Sequence, residues 1–305
     1  MAEIKIFRNL AGVKADIYHA ADEPGAKDAA VLGKRPLVTT VHDVEADLVP
    51  ESLNARGRAY MQLCRRWTRR SDMIIVPFDW TRRQVMSLYN VPPERIRIVN
   101  YGVDHDLFYP RRRAPSSRKK VLYVGELNRL KGVGVLLEAF GILLKEFKDV
   151  QMIFVGKGPD QGHLRGVARE LQIDRDVIFT GFVPDQDLPI FYGQADVFVW
   201  PSRLGFGLTM LQAMASGLPV VASPYAEIPE FLEDSGIAVD CDSPEALADA
   251  LSRLLSDEFM RTRMAERAIQ KASAFSWERM AREVLAVYNE VLIARQESSR
   301  PPEMM

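Results

Sequence analysis

The chain has 305 residues, of which 47% are hydrophobic and 27% charged, enough for one large or two ordinary globular domains. No stretch approaches the roughly 18 consecutive apolar residues of a membrane span, and the first residues lack the apolar core of a secretory signal. With two cysteines and no Asn-x-Ser/Thr sequence, the composition excludes a disulfide-based secreted domain and predicts a cytoplasmic protein.

The net charge of −1 conceals an asymmetry between the two halves of the chain. Residues 1–120 contain 22 lysines and arginines and 14 acids, a net charge of +8, whereas residues 121–305 contain 18 and 27, a net charge of −9. This difference predicts two domains with different surfaces. A basic first half suits anionic phospholipid, a lipid-linked phosphate acceptor or nucleic acid.

Apolar, β-branched runs separated by helical patterns predict a first α/β domain over residues 1–110. Strands are expected at residues 15–20, 36–42, 73–77 and 95–99, and helices at 52–70 and 80–89. Helix 52–70 has an apolar stripe among arginines, formed by Tyr60, Leu63, Cys64 and Trp67. It either faces an anionic membrane through its aromatic residues, or packs on the sheet with a solvated arginine face.

Residues 111–120 are basic and contain proline and serine, a composition that predicts a linker, either a solvated hinge or an anion-binding segment. Five further strands alternate with helical patterns over residues 121–274, which predicts a parallel, doubly wound sheet. These strands are expected at residues 121–124, 152–155, 177–179, 197–200 and 220–222. A last helix is expected at residues 275–297 and a disordered tail at 298–305.

Residues 200–223 carry the strongest local signal. A buried strand ends at Trp200, Gly205 and Gly207 allow a sharp turn, and apolar residues then repeat at helical spacing until Gly217 ends the helix. A glycine turn that leads into a helix at the carboxyl end of a parallel strand presents free N–H groups and the positive end of the helix dipole. This arrangement suits a phosphate; the alternative is an ordinary crossover connection.

The same stretch resembles the signature of the retaining GT-B glycosyltransferases of family 4. The shared residues are Pro201, Ser202, Gly205, Phe206, Gly207, Ala213, Met214, Ala215, Gly217, Pro219, Val220 and Val221. Both acids of the family's Glu-x7-Glu pair are replaced, by Leu204 and Gln212. The resemblance implies a GT-B-like α/β fold with two Rossmann-like, doubly wound domains, of which the first is incomplete, and a C-terminal helix that crosses back to the first domain.

The resemblance also implies where a nucleotide-sugar donor would bind. The loop 125–132 is similar to the family's donor-phosphate loop, in which Lys131 matches the phosphate-binding lysine and Glu126 replaces a common arginine that Arg129 could substitute. The backbone N–H groups of Phe206 and Gly207 would bind the diphosphate. The donor-binding candidates together are Gly125, Arg129, Lys131, Gly156, Val183, Leu204, Gly205, Phe206, Gly207, Leu208, Gln212 and Glu230.

On the catalytic side, His42 with Asp43 follows a strand in the way that the family places a histidine near the reacting sugar. The alternative is a strand-end histidine that caps local backbone. Asp104-His105-Asp106 has the spacing of the metal motif of another glycosyltransferase fold. The surrounding residues explain these aspartates as a turn, and no metal site is expected.

The implied activity is retaining, metal-independent transfer of a sugar from a nucleotide sugar to a lipid-linked or saccharide acceptor, with no further cofactor. The alternative is a weak or inactive module that acts as partner or scaffold of an active glycosyltransferase. An exposed sheet edge in the short first domain favours a homo-oligomer or a second glycosyltransferase chain. The basic first half favours peripheral contact with the inner membrane surface, whereas nucleic-acid binding is not expected because no known module is present.

Overall fold

A computed structural model describes residues 10–44, 53–111, 118–202, 207–225 and 228–298, without the side chains of Glu230 and Ser298. The chain divides into two compact units, one formed by Met1–Gly102 with Trp277–Met305 and the other by Val103–Ser276. Most of the expected linker and nearly all of the expected tail lie outside the described residues.

The first unit is built on a four-stranded parallel sheet. Its strands are β1 (Tyr18–Ala20), β2 (Leu37–Thr40), β3 (Met73–Val76) and β4 (Ile96–Ile98), and its connecting helices are α1 (Glu23–Val31), α2 (Ala55–Thr68) and α3 (Asp79–Tyr89). The strands lie side by side in chain order, so each crossover steps in the same direction. The described strands of this unit therefore form one half of a doubly wound arrangement, without the reversal of strand order.

Local sequence explains where these helices begin and end. The Asp22 side chain caps α1 by accepting a hydrogen bond from the Gly25 N–H at 2.7 Å, and Asn54 caps α2 in the same way from Gly57 at 2.9 Å. Helix α3 ends at Asn90, which adopts the left-handed conformation with φ of 50°. The first residues of α1 and α2 are thus capped by a polar side chain, and α3 ends at a residue type that tolerates the left-handed conformation.

The second unit contains a six-stranded parallel sheet. Its strands are β5 (Lys119–Val124), β6 (Val150–Val155), β7 (Val177–Gly181), β8 (Val197–Trp200), β9 (Val220–Ala222) and β10 (Gly236–Ala238). Its helices are α4 (Val133–Glu146), α5 (Gln161–Glu170), α6 (Leu188–Gln194), α7 (Leu208–Ala215), α8 (Ile228–Leu232), α9 (Pro244–Ser256) and α10 (Glu258–Ala272). The spatial order β10-β9-β8-β5-β6-β7 reverses between β5 and β8, which makes this a doubly wound sheet.

The last helix, α11 (Trp277–Ser298), belongs to the first unit. Its buried Val287 and Val291 pack with Met73 and Ile75 of β3. The intervening residue Ile74 instead packs in the cluster that contains α3. Because successive side chains of a strand point to opposite faces, α11 and α3 cover opposite faces of the first sheet. No helix within the described ranges has the length and apolarity needed to cross a bilayer.

Candidate functional site

The reversal between β5 and β8 creates a position in the described second sheet where the loops of two neighbouring strands diverge. Val121 of β5 pairs with Val197 of β8, so their carboxyl ends lie side by side. Open parallel sheets bind ligands outside the carboxyl ends at such a switch point. The two loops involved are residues 125–132 and residues 201–207. Of the predicted site residues, Leu204, Gly205 and Phe206 lie outside the described residues.

The loop after β5 is organised by Asn128. Its Oδ1 accepts a hydrogen bond from the Lys131 N–H at 3.1 Å, which starts the short 3-10 turn Arg129–Lys131. Its Nδ2 donates to Glu126 Oε2 at 2.8 Å. Gly132 then adopts a φ of 69°, a left-handed conformation that leads the chain into α4. One amide side chain therefore holds both the backbone of Lys131 and the carboxylate of Glu126.

The loop after β5 contacts the loop after β8. A Cβ atom on Gly132 would lie 2.4 Å from the Pro201 carbonyl oxygen, so only glycine permits this approach. The rings of Tyr123 and Trp200 stack with centroids 6.2 Å apart, and Lys131 Nζ lies 5.9 Å from the centroid of the Trp200 ring. The Lys131 ammonium is thus held above an aromatic surface at the carboxyl end of β8.

The loops after β6 and β7 pack closely, through their backbones, beside the loop after β5. Gly156 has a φ of 135°, donates its N–H to the Gly181 carbonyl at 2.9 Å, and approaches Gly125 so closely that a Cβ atom would lie 1.9 Å from the Gly125 oxygen. The Leu127 N–H donates to the Lys157 carbonyl at 3.0 Å. The predicted residues Gly125 and Gly156 are therefore brought together, and Val183 lies in the loop after β7, half-buried.

Helix α7 begins at Leu208, directly after Gly207, whose backbone packs on the Trp200 indole. Gln212 lies one turn along, and its Oε1 accepts a hydrogen bond from the buried Tyr192 hydroxyl at 3.0 Å. Burial raises the pKa of the Tyr192 phenol well above its usual range, so the phenol keeps its proton as a donor. Sequence reasoning missed Tyr192, which lies 20 residues upstream with no motif to mark it. The Glu230 side chain lies outside the described residues.

In the first unit, His42 and Asp43 follow the carboxyl end of β2; Asp43 is exposed and His42 has its ring against Tyr101. His42 Nδ1 lies 3.0 Å from the Tyr101 hydroxyl, and the two rings stack with centroids 5.9 Å apart. Phe78, which follows β3, meets the Tyr101 ring edge to face at 6.0 Å. The histidine is therefore oriented by an aromatic residue that follows β4, a partner that the sequence did not indicate.

A second histidine lies on the neighbouring strand β1. His19 Nδ1 lies 2.6 Å from the Tyr288 hydroxyl of α11, and His19 Nε2 lies 2.8 Å from Thr40 Oγ1 at the end of β2. Burial lowers the pKa of His19 below its usual 6.5, and the nearby His42 lowers it further. Helix α11 is thereby tied by hydrogen bonds to the strand that leads to His42.

Glu23 lies at the start of α1, just after the carboxyl end of β1, and its side chain is buried. Its Oε1 accepts a hydrogen bond from the Tyr89 hydroxyl at 2.8 Å. Burial raises the pKa of the Glu23 carboxyl above its usual 4.5, and the carboxylates of Asp43 and Asp22 add to the rise, while the Tyr89 hydrogen bond opposes it. The folded chain therefore holds this proton more tightly than the unfolded chain does.

This raised pKa predicts a pH-dependent stability. Between the ordinary value of 4.5 and the raised value, unfolding releases the Glu23 proton, so this group's contribution to stability is lost as pH rises through that window. Glu23→Gln keeps an acceptor for Tyr89 and cannot ionise. We expect its melting temperature to gain on that of the wild type as pH rises above 4.5, and the gain to level off once Glu23 of the folded wild type has ionised. The exposed Glu94→Gln is the control; a Glu23→Gln difference that does not change with pH contradicts the assignment.

Two other predicted features have a plain local geometry. The Asp104 carboxylate accepts hydrogen bonds from the N–H groups of Asp106 and Leu107 at 3.0 Å each, as in a turn. Helix α2 buries Cys64 and Thr68, while most of its arginines lie on the outer surface and the Arg70 guanidinium lies 4.5 Å from the Trp67 ring centroid. Both interpretations of this helix, solvated face and membrane face, fit that geometry.

Comparison with known proteins identifies two family models along the chain. The model described as "Glycosyl transferases group 1" matches residues 107–271, and the model described as "Glycosyltransferase Family 4" matches residues 3–107. The chain is 36% identical over 239 residues to a D-inositol 3-phosphate glycosyltransferase of Corynebacterium urealyticum, covering 72% of this chain and 56% of that protein. It is 29% identical to the O-antigen chain mannosyltransferase B of Escherichia coli, covering 82% of this chain and 69% of that protein.

Solved structures show the same fold. A sucrose-phosphate synthase from Thermosynechococcus elongatus superposes with a TM-score of 0.82 at 22% identity, covering 96% of this chain and 78% of that one. Anabaena HepE in complex with UDP and glucose superposes with a TM-score of 0.80 at 19% identity, covering 94% and 80%. The chain spans between 56% and 69% of the length of the two curated relatives named above.

Proposed function

Because the chain belongs to the glycosyl transferases group 1 family, whose structural relatives share its GT-B fold, we propose that it transfers a sugar from a nucleotide-sugar donor to a lipid-linked or saccharide acceptor. The observation that supports this most directly is the position of Lys131, held over Trp200 where the loops of β5 and β8 diverge. An ammonium at a switch point, beside a glycine turn that leads into a helix, suits the diphosphate of such a donor.

The relatives support the two substrates separately. HepE is described in complex with UDP and glucose, which supports a nucleoside diphosphate at the second unit. The named relatives act on D-inositol 3-phosphate and on an O-antigen chain, which supports a phosphate-bearing or saccharide acceptor. The resemblance of residues 200–223 to the family signature supports a retaining, metal-independent reaction typical of polysaccharide biosynthesis. For the first unit, we propose that His42, with Asp43, contacts the reacting sugar.

A second candidate function is a weak or inactive module that partners an active glycosyltransferase. The observation that favours it is the hydrogen bond between Gln212 Oε1 and Tyr192, which directs the carbonyl oxygen of Gln212 toward a buried phenol. Both acids of the Glu-x7-Glu pair are also lost, so α7 offers a ligand no carboxylate, and the Gln212 carbonyl oxygen already has a partner.

A nucleotide titration distinguishes the two candidates. UDP, GDP and ADP, with UDP-glucose, GDP-mannose and ADP-glucose, are each added to the purified chain, and the melting temperature is followed. A ligand at about 100 times its Kd adds about 2.7 kcal/mol of stability, which is a shift of several degrees. We expect a saturable shift with one base. A chain that responds to none of these ligands, yet purifies with a second glycosyltransferase, supports the partner function.

Hydrolysis or transfer of the selected nucleotide sugar tests the role of His42. Loss of a hydrogen bond to the reacting sugar is worth about 1–1.5 kcal/mol, so His42→Ala, which has no donor or acceptor there, is expected to lower kcat about tenfold. The exposed His163→Ala on α5 is the matched control. An unchanged kcat in His42→Ala removes this residue from the proposed reaction.

The location and partners follow as further proposals. We propose a cytoplasmic chain that contacts the inner membrane surface through the exposed arginines in and just after α2, Arg56, Arg58, Arg66, Arg69 and Arg70. Co-sedimentation with phosphatidylglycerol vesicles tests the membrane contact. The proposal is contradicted if the chain does not co-sediment, or if high salt does not weaken its co-sedimentation.

The edge strand β1 supports assembly with a second copy or a second glycosyltransferase chain. A monomeric mass by sedimentation contradicts self-assembly.

A further inference from the structure

Glu126 is an exposed carboxylate that the loop after β5 nevertheless holds in place. The Asn128 Nδ2 donates to its Oε2 at 2.8 Å, and the Tyr123 hydroxyl donates to its backbone carbonyl at 2.8 Å. The Glu126 carboxylate also lies near enough to the Tyr123 phenol to raise its pKa further, beyond the rise that burial causes. Its other oxygen, Oε1, has no hydrogen-bond partner among the described residues.

This carboxylate belongs to the same turn as the cation proposed to bind phosphate. Asn128 holds the Lys131 backbone through Oδ1 and the Glu126 carboxylate through Nδ2. A negative charge beside a diphosphate opposes its binding, since like charges about 4 Å apart repel by about 1 kcal/mol even in water. The hydrogen bond from Asn128 Nδ2 favours the side-chain position in which the carboxylate stays beside this turn.

The facing loop supplies no carboxylate of its own. Residues 201–207 contain no aspartate or glutamate, whereas Glu126 is the acid of loop 125–132. The two loops are in contact because Gly132 packs on the Pro201 carbonyl, and the strands that precede them are in contact because Tyr123 stacks on Trp200. A sugar joined to a diphosphate presents several hydroxyl donors next to two anionic phosphates. The switch point presents a matching pair of groups, a cation for the phosphates and a carboxylate oxygen for hydroxyl donors.

We propose that Glu126 binds hydroxyl groups of the donor sugar through Oε1, and that it thereby determines the preference of the site for a nucleotide sugar over the bare nucleoside diphosphate. This proposal rests on the nucleotide-sugar function proposed above. With the sugar attached, hydrogen bonds from its hydroxyls offset the repulsion between Glu126 and the phosphates. Once the sugar has been transferred, the repulsion remains without that compensation, and release of the nucleoside diphosphate is favoured.

Calorimetric titration of Glu126→Gln with UDP and with UDP-glucose tests this proposal. If the nucleotide titration selects guanine, GDP and GDP-mannose are used instead; if it selects adenine, ADP and ADP-glucose are used. The introduced glutamine is not charged, yet its amide oxygen can still accept from Asn128. We expect UDP to bind about fivefold more tightly and UDP-glucose about fivefold more weakly than to the wild type. Glu138→Gln, an exposed acid on α4, is the matched control and should change neither Kd.

The outcomes separate this proposal from the function on which it rests. If both ligands bind Glu126→Gln more tightly, Glu126 is only a repulsive charge, and the sugar contact is overturned. If neither Kd changes, the carboxylate does not face the ligand, and the proposal is overturned as well. If the wild type binds none of the nucleotides and nucleotide sugars, the proposed function itself fails, and this inference fails with it.

Discussion

Replacing Gly156 with alanine is expected to lower the free energy of unfolding of the second unit by about 2–6 kcal/mol. The residue has a φ of 135°, and an added Cβ atom would lie 1.9 Å from the Gly125 carbonyl oxygen. The backbone strain costs about 1–3 kcal/mol, and displacing the neighbouring loop costs a similar amount. The melting temperature should fall by roughly 5–15 °C, measured by circular dichroism.

The control for this variant is Gly166→Ala, in the middle of α5. Among the described residues, no heavy atom outside the adjoining residues and the local helix backbone lies within 4 Å of the Cβ position there, so alanine should be neutral or should stabilise by about 0.5–1 kcal/mol. Equal melting temperatures for the two variants contradict the close packing of the loops after β5 and β6. Because the contact joins two loops of the proposed donor site, Gly156→Ala should also weaken nucleotide binding at temperatures where the chain remains folded.

Lys131→Ala is expected to weaken binding of a nucleoside diphosphate by about 10–100-fold and to leave the melting temperature of the free chain nearly unchanged. Hydrogen bonds to charged groups contribute about 1.5–3 kcal/mol, and no ion pair of Lys131 occurs among the described residues. The ammonium is held over Trp200 and is available to a ligand. Its removal should therefore affect the Kd far more than the fold.

The matched control is Lys145→Ala, which removes the same charge from the exposed last turn of α4. Its nucleotide affinity should equal that of the wild type. Raising the salt concentration should weaken nucleotide binding by the wild type more than by Lys131→Ala, because a charge contact is screened. Equal Kd values for Lys131→Ala and Lys145→Ala would exclude Lys131 from the phosphate site.

The sequence predicted the elements that have long periodic patterns. The strands of the second unit were expected because β-branched apolar runs alternate with helical segments, and β5, β6, β8 and β9 occur where those runs lie. Strand β10 was not predicted, since Gly236–Ala238 is only three residues long and has no β-branched run. Its place in the sheet is set by parallel pairing with β9, a contact between segments that local pattern does not encode.

The candidate site was only partly predictable for a similar reason. Lys131, Gly125 and Gly156 have motifs that mark them, and the structure brings their loops together. Tyr192 and Tyr101, which bond Gln212 and His42, lie 20 and 59 residues away from their partners and belong to no motif that pairs them. Side-chain partners of this kind depend on the packing of distant elements, so a single sequence gives no signal for them.

The assignment of α11 to the first unit has a consequence for the order in which the chain folds. The second unit is one continuous segment, Val103–Ser276, so all of it leaves the ribosome before α11 does. The first unit lacks the cover for Met73, Ile75 and Val38 until residues 277–298 have been made. The apolar face of this sheet is therefore exposed while residues 103–276 are synthesised. During this interval the nascent chain is most prone to aggregation and most in need of a chaperone.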